Sequence, residues 1–393
     1  MYLFFAISVI TSLHQHEKST LQERGAHKQK NVALIYWLLK SGVAQVRKLT
    51  KVQGGFFQMI KNLRVLTLLT MIVIFAFIFT AGSFAQEYNI AVIIKATDSG
   101  FWQDVLTGAR AAGEKLDNVT ITTHGPTSES QIAEQVSILE NVITRNPDAI
   151  VISSTSSDAS VPALERAYEQ GIKIITIDNK VNTDKIHSHL ATDNFVGGKL
   201  AAQMFVEMAK QHGKSVGSGK VGLISAMAGV QVLVDRDEGF ITGLNEYAPG
   251  LEILETRYVD NRIPEALSAT EDILTSHPAD LVGFFADNNH TGAGVARAIA
   301  ERGLEEEVPV IAFDADDAEK RALETGAIDA LIVQDPFRMG YDGVHYAVRA
   351  IEGEELPEYV DTGATAVTRD NMNDEEIQNL LNPKLRAEAV LAE

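Results

Sequence analysis

At 393 residues, 45% hydrophobic and 22% charged, the chain has an ordinary globular composition and length enough for two or three domains. It contains 0 Cys, which excludes a disulfide framework, a Cys-ligated zinc or iron–sulfur centre and a cysteine-borne lipid. The formal charge of −19 conceals an asymmetry: residues 1–85 hold 10 Lys and Arg against 2 Asp and Glu, leaving 24 basic and 51 acidic residues in 86–393. So acidic a body is a poor partner for nucleic acid, whose phosphates need a basic surface, and it repels its own copies, as a soluble monomer would.

Residues 1–58 carry apolar patches (Met1–Leu13, Val32–Leu39) separated by polar, basic sequence. Met59–Ala85 then has the anatomy of a secretory signal. Lys61 and Arg64 form a positive start, Val65–Phe79 is apolar apart from threonines, and Ser83-Phe84-Ala85 is a small-x-small cleavage pattern. The apolar core of about 15 residues falls short of the roughly 20 that span a membrane. Cleavage is expected before Gln86, releasing the body on the far side of the membrane. A signal beginning so far in makes Met59 the expected initiator, with 1–58 an over-extended or disordered start.

From Gln86 onward strand-like and helix-like runs alternate. Ile90–Ile94, Val119–Thr123, Ala149–Ser153 and Lys173–Ile177 read as strands apolar on both faces; helices are expected from Phe101, over Glu129–Thr144 and over Pro162–Gln170. This alternation predicts βαβ units and parallel sheets. The pattern then repeats. Glu140–Pro147 (ENVITRNP) is matched by Glu271–Pro278 (EDILTSHP), Ile174–Asp178 by Val310–Asp314, and Ile90–Ile94 by Val221–Ser225. Three matches in order at a nearly constant offset mean one α/β domain present twice. Two such lobes face each other across a cleft lined by the turns that follow their strands, since open α/β sheets bind ligands at those carboxyl ends. The turns expected there are Lys95–Trp102, Ser153–Asp158, Asp178–Asn179, Ala226–Arg236, Asp260–Asn261, Asp287–Asn289 and Asp314–Asp317, with Gln334 after the strand Ala330–Val333. They supply paired donors and acceptors for adjacent hydroxyls, and Phe101 and Trp102 supply stacking surface, a combination suited to a sugar.

These residues resemble the type I periplasmic sugar-binding proteins of the ribose-, allose- and galactose-binding kind, which serve ABC importers. The likeness runs from about Glu87 to Thr368. It rests on the aromatic pair, Ser188–Gly198 (SHLATDNFVGG), Arg236 with Glu238-Gly239-Phe240, Ala286–Asn288, Phe313-Asp314 and Gln334-Asp335-Pro336. The resemblance implies an α/β fold of two Rossmann-like lobes with parallel sheets joined by three hinge crossings, near Thr192–Asp193, Gln334–Pro336 and Thr362–Thr365. The lobes would then comprise 86–192 with 335–363, and 193–334 with 364–372, followed by a helical tail, 373–393. It also implies that Phe101 and Trp102 stack on the sugar, that Ser99 stands where ribose binders use Asn, and that Lys95 matches the allose-like branch. By the same resemblance Asp178, Arg236, Asn288, Asp314 and Gln334 hydrogen-bond ring hydroxyls. Asn179 stands where ribose binders have a second Arg, and Asp260 where an aromatic usually closes the other face, so a hexose, deoxyhexose or polyol fits at least as well as ribose. The implied partners are that ligand and an ABC permease, with its ATPase reached only through the permease and the membrane likewise.

Other functions find less support. Gly292-Ala-Gly294-Val-Ala-Arg297 lacks the third glycine of a dinucleotide turn, and helix packing explains its glycines. Asp314-Ala-Asp316-Asp317 lacks the Gly and distal Glu of a calcium loop, and His187 and His189 have no third ligand in view. No nucleophile elbow is present, so no catalytic residue, metal or cofactor is expected. A repressor on the same fold would need a basic helix-turn-helix at the amino end, where a signal sequence stands. A receptor feeding a sensor kinase or chemoreceptor would share every feature of an importer subunit.

Overall fold

Aliphatic runs bounded by polar turns form the strands, and amphipathic stretches between them form the helices. The structure, a computed structural model, describes Glu87–Ala392 and, of the preceding segment, only Leu63, Thr67 and Thr70. The signal-sequence reading and the expectations for 1–58 lie outside the described residues. Chain contacts divide the protein between Phe84 and Ala85, and the second unit holds both sheets.

In that unit β1 (Tyr88–Ile93), β2 (Val119–His124), β3 (Ala149–Ile152), β4 (Lys173–Ile177) and β5 (Ser188–Ala191) alternate with α1 (Gly100–Lys115), α2 (Ile132–Ile143) and α3 (Val161–Glu169). Joined by a late strand, β12 (Tyr359–Asp361), they form a wholly parallel sheet in the order β12-β5-β4-β3-β1-β2. Side chains of β1 alternate between two cores. Ile90 and Val92 pack with α1, while Ala91 and Ile93 pack with α2 and α3. That two-residue alternation is the sheet's pleat, and a sheet covered on both faces needs apolar residues at both sets of positions. Helix α2 starts later than the periodicity suggests. Ser128–Gln131 closes a turn instead, with Gln131 N–H donating to the Ser128 carbonyl and Ser128 N–H to the Gln131 side chain.

The second half repeats the plan. Helix α4 (Asn194–Gln211) leads into β6 (Gly219–Ser225), α5 (Gln231–Tyr247), β7 (Leu251–Ile253), β8 (Arg257–Tyr258) and α6 (Ile263–Ser276). There follow β9 (Leu281–Ala286), α7 (Asn289–Arg302), β10 (Val310–Phe313), α8 (Asp317–Thr325) and β11 (Ala330–Gln334). With β13 (Ala364–Thr368) the sheet order is β13-β11-β10-β9-β6-β7, β8 pairing with β6, and β13 is antiparallel to β11. Between β11 and β12 lies α9 (Pro336–Ile351); after β13 come α10 (Glu375–Leu381) and α11 (Pro383–Ala392).

The chain passes between the sheets after β5, after β11 and between β12 and β13. The first and third passages are bound together, Thr192 Oγ1 donating to the Gly363 carbonyl at 2.9 Å and Asp193 N–H to Asp361 at 3.2 Å. Each passage that ends in a helix lays that helix on the first helix of the receiving lobe: α4 on α5, and α9 on α1. The α4–α5 contact is very close, because a Cβ on Gly198 would stand 2.1 Å from the Arg236 carbonyl oxygen and one on Gly239 2.2 Å from that of Phe195. Only glycine permits such an approach, and it brings the Arg236 side chain against Asn194.

Candidate functional site

The first lobe contributes the ends of β1 and β4 and the start of α1. Lys95, buried just after β1, places its ammonium 2.7 Å from Asp178 Oδ2, which also accepts from Ser153 Oγ at 3.0 Å. Phe101 and Trp102 open α1 edge to face, ring centroids 4.8 Å apart at 79°. The indole N–H donates to Glu129 Oε1 at 2.7 Å, and Lys95 Nζ lies 5.4 Å from the ring centroid. Ser99 occupies the N-cap position of α1 without capping it. Its hydroxyl instead accepts from Asn289 Nδ2 of the other lobe at 2.9 Å.

The second lobe answers with Arg236, in the second turn of α5. Its Nε donates to Asn194 at 2.8 Å, an Nη donates to the Asp287 carbonyl at 2.8 Å, and the guanidinium lies 4.1 Å from the centroid of the Phe313 ring. The same Nη is 4.0 Å from Asp314 Oδ2. Asn288 caps α7 in a reciprocal capping box with Thr291 and donates its amide to Asn261 at 2.7 Å. Gln334, at the end of β11, donates to Asp314 Oδ1 at 2.7 Å, and its own buried carbonyl oxygen has no partner within the described residues.

Asp178 and Asp314, matching positions of the internal repeat, both adopt left-handed backbone, with φ of 59° and 78°. Each also donates its N–H to the carbonyl of the next strand, Leu190 and Ile332 respectively, at 2.9 Å. Asp is among the few residues that tolerate this region, and the twist turns both carboxylates inward.

Between the walls lies a small, partly open cavity lined by side chains of both lobes. Nine of the eleven residues picked out in the sequence line it: Lys95, Ser99, Phe101, Trp102, Asp178, Arg236, Asn288, Asp314 and Gln334. The other two do not. Asn179 is fully buried behind the wall, its amide donating to the Ser154 carbonyl at 2.8 Å. Asp260 is exposed outside the cavity; the next residue, buried Asn261, turns in to meet Asn288. The cavity also takes in Glu129, Asn289, Val230, Val232 and Leu233. Asn289 sat in a turn already assigned to the cleft. Glu129 carried no such signal, because it opens a run that reads as helix and nothing in the spacing ties it to Trp102.

Lys95 is paired with Asp178, and Arg236 stands beside Asp314, which leaves Glu129, accepting from the Trp102 indole, as a third acid in the lining. Burial raises the Asp314 carboxyl above the usual range, opposed by Arg236 and by the hydrogen bond from Gln334. Behind it Glu319 is fully buried, and its carboxyl is raised well above its ordinary value by burial and then by Asp316 and Asp314. Lined by acids and bases that largely pair with one another, the cavity suits a ligand rich in hydroxyls, which can both donate and accept. His187 and His189 are committed elsewhere, to the Ile174 N–H and the Thr176 hydroxyl. Among the described residues no group of three His, Cys, Asp or Glu is arranged to hold a metal ion.

Two similar lobes enclosing a polar, aromatic-walled cavity define a solute-binding protein. The sequence matches the periplasmic binding protein domain over residues 90–355, and the chain belongs to that family. The ribose import binding protein of Escherichia coli is 26% identical over 75% of this chain and 95% of its own length. A carbohydrate-transporter solute-binding protein from Agrobacterium radiobacter, solved with D-arabinose, is 40% identical, covers 76% of this chain and all of its own, and superposes with a TM-score of 0.72. One from Agrobacterium vitis with bound D-fucose is 35% identical over 75% of this chain and 99% of its own, with a TM-score of 0.70. The chain is a non-enzymatic, extracytoplasmic sugar-binding protein of the ABC-importer type.

Proposed function

We propose that the chain captures one neutral monosaccharide of pentose or deoxyhexose size between its lobes and presents it, closed, to an ABC permease. The observation that carries this reading is the pairing of opposed walls. Phe101 and Trp102 offer stacking faces on one side, while Arg236, Asn288, Asp314 and Gln334 offer donors and acceptors on the other. The relatives solved with D-arabinose and D-fucose support the size class. Ligand bonded to both lobes favours the closed arrangement by its differential contacts, with the three passages between sheets as hinges. The moving bodies are 86–192 with 335–363, and 193–334 with 364–372. The permease reads their outer faces together, and the acidic body stays monomeric. Cleavage before Gln86 releases this body into the periplasm, with Met59 as initiator; N-terminal sequencing of precursor and secreted protein tests both points.

The decisive experiment is calorimetric titration of the chain from Gln86 with D-arabinose, D-fucose, D-tagatose, D-ribose, D-allose and simple polyols. One sugar is expected to bind with clear preference; no heat and no thermal shift with any of them would overturn the reading. At 100 times Kd a ligand specific for the native state adds about 2.7 kcal/mol of stability, readily seen by melting.

A further inference from the structure

The tail after β13 passes between the lobes once more. Helix α10 belongs to the second lobe, where Ile377 and Leu381 enter the core with Met372 and Lys320 Nζ donates to the Leu381 carbonyl at 3.3 Å. Helix α11 lies on α1 of the first lobe. One residue, Asn382, separates them, and it is held in turn by its amide donating to the Gln378 carbonyl at 2.8 Å. The joint is short and braced, so the two helices are not free to swing apart.

The grip of α11 on the first lobe is polar. Within α11 only Pro383 is buried, and Leu385 and Leu391 remain 53% and 43% exposed. Arg386 instead reaches both carboxylate oxygens of Asp335 at 2.7 Å from one Nη and covers the Phe337 ring at 4.8 Å, while Lys115 Nζ donates to the Val390 carbonyl at 2.8 Å. Asp335 follows the cavity residue Gln334 and caps α9 through the Arg338 N–H at 2.8 Å. Helix α1 begins with the two cavity aromatics. The α10 end of the tail, Leu380 and Leu381, lines a crevice shared with Phe101, Asp104, Asp314 and Gln334 at the rear of the cavity.

From this arrangement we infer that the C-terminal tail is a fourth link between the lobes, anchored by Arg386, that favours their closure and tightens sugar binding without touching the sugar. Opening the lobes separates α10 from α1, and the braced joint at Asn382 passes that movement to the Arg386–Asp335 contact. That contact therefore adds to the closed arrangement and is lost on opening. Arg386 is a positioning residue. The effect on affinity rests on the sugar-binding reading above; the effect on lobe separation does not.

The test exploits the 0 Cys of the chain. Spin labels attached through Ser137→Cys on α2 and Ser276→Cys on α6, both exposed and on different lobes, report lobe separation in the full chain from Gln86. With no sugar added, Arg386→Ala is expected to shift the distances toward longer values, and Arg386→Lys to retain most of the short component. The Kd for D-arabinose should rise about three- to tenfold in Arg386→Ala, the fraction by which the competent state is depleted. Unchanged distances with a lowered melting temperature would overturn the proposal and leave the tail a structural cap. Should Arg386→Ala fail to fold, Lys115→Ala loosens the other end of α11 and must shift the distances the same way. If D-arabinose closes neither protein the sugar reading alone is in question, and the ligand-free distances still decide the role of the tail.

Discussion

Asp314 joins a left-handed backbone to a place on the cavity wall. Its left-handed φ of 78° excludes most side chains at small cost only to Gly, Asn and Asp. Asp314→Asn keeps that backbone preference and removes an acid that burial already raises. Melting should therefore change by no more than about 1 kcal/mol, while sugar affinity falls at least about tenfold through the lost acceptor beside Arg236 and Gln334. An Asn variant with unaltered affinity would remove Asp314 from the ligand contacts. Arg236 is a different case, because its guanidinium holds Asn194 and the Asp287 carbonyl in the buried wall. Arg236→Ala should cost roughly 2–4 kcal/mol of stability as well as binding, since it leaves buried partners unsatisfied. Urea denaturation read beside calorimetry separates the two losses. Glu129→Gln offers a finer probe: Gln keeps an acceptor for the Trp102 indole, so binding should survive, whereas Glu129→Ala frees the ring and should weaken it about tenfold or less.

At the scale of elements, the helix pairs that follow the lobe crossings hold the site walls in place. Gly198→Ala on α4 would force its Cβ to 2.1 Å from a backbone oxygen of α5, which cannot swing aside as a side chain can. The helices must separate, at a cost of roughly 1–3 kcal/mol or more, and Arg236 moves with them. Both the denaturation midpoint and sugar affinity should fall, and an unchanged affinity would show that α5 tolerates the shift. The elements themselves were largely legible beforehand. Fully apolar runs such as Ala149–Ile152 and Val310–Phe313 announced buried parallel strands, and the repeated ENVITRNP-like segment announced two lobes. The antiparallel direction of β13 was not legible, because it depends on where the last crossing deposits the chain. Nor was the late start of α2, set by a local turn that competes with the helix.

For the whole molecule, charge and closure are the governing quantities. Asp237, beside buried Asp287 and Arg236, is pushed up to about 8 by burial and then by Asp287, against the Ser225 hydrogen bond and the Arg236 charge. Asp287 moves upward too, by burial, against Ser225, Arg236, the Ala226 N–H and Thr291. The folded state thus holds protons that the unfolded chain releases near pH 4, so the contribution of this pair to stability is greatest below about pH 4 and falls as pH rises toward about 8. Asp237→Asn should flatten that decline, its advantage over the parent in melting temperature being small at pH 5 and larger at pH 8.5. A parallel decline in both proteins would assign the pH dependence to other groups.

The sequence alone determined the two-lobed α/β plan, the acidic body and nine of the cavity residues. Those properties follow from local patterns: apolar runs, a repeat at a nearly constant offset, and polar turns at strand ends. It misplaced Asn179 and Asp260 because a turn names the neighbourhood of a side chain and not its direction. At both turns left-handed residues rotate the chain, so that Asp178 faces the cavity while Asn179 faces the core, and Asn261 turns inward in place of Asp260. Only the tertiary structure brought Glu129 to Trp102, Asn289 to Ser99 and Arg386 to Asp335. Such contacts join residues 27 to 190 positions apart, and no periodicity extends that far. Asn289 meets Ser99 because the two lobes close on one another, whereas Glu129 meets Trp102, and Arg386 meets Asp335, because packing of helices on the first sheet brings distant turns side by side.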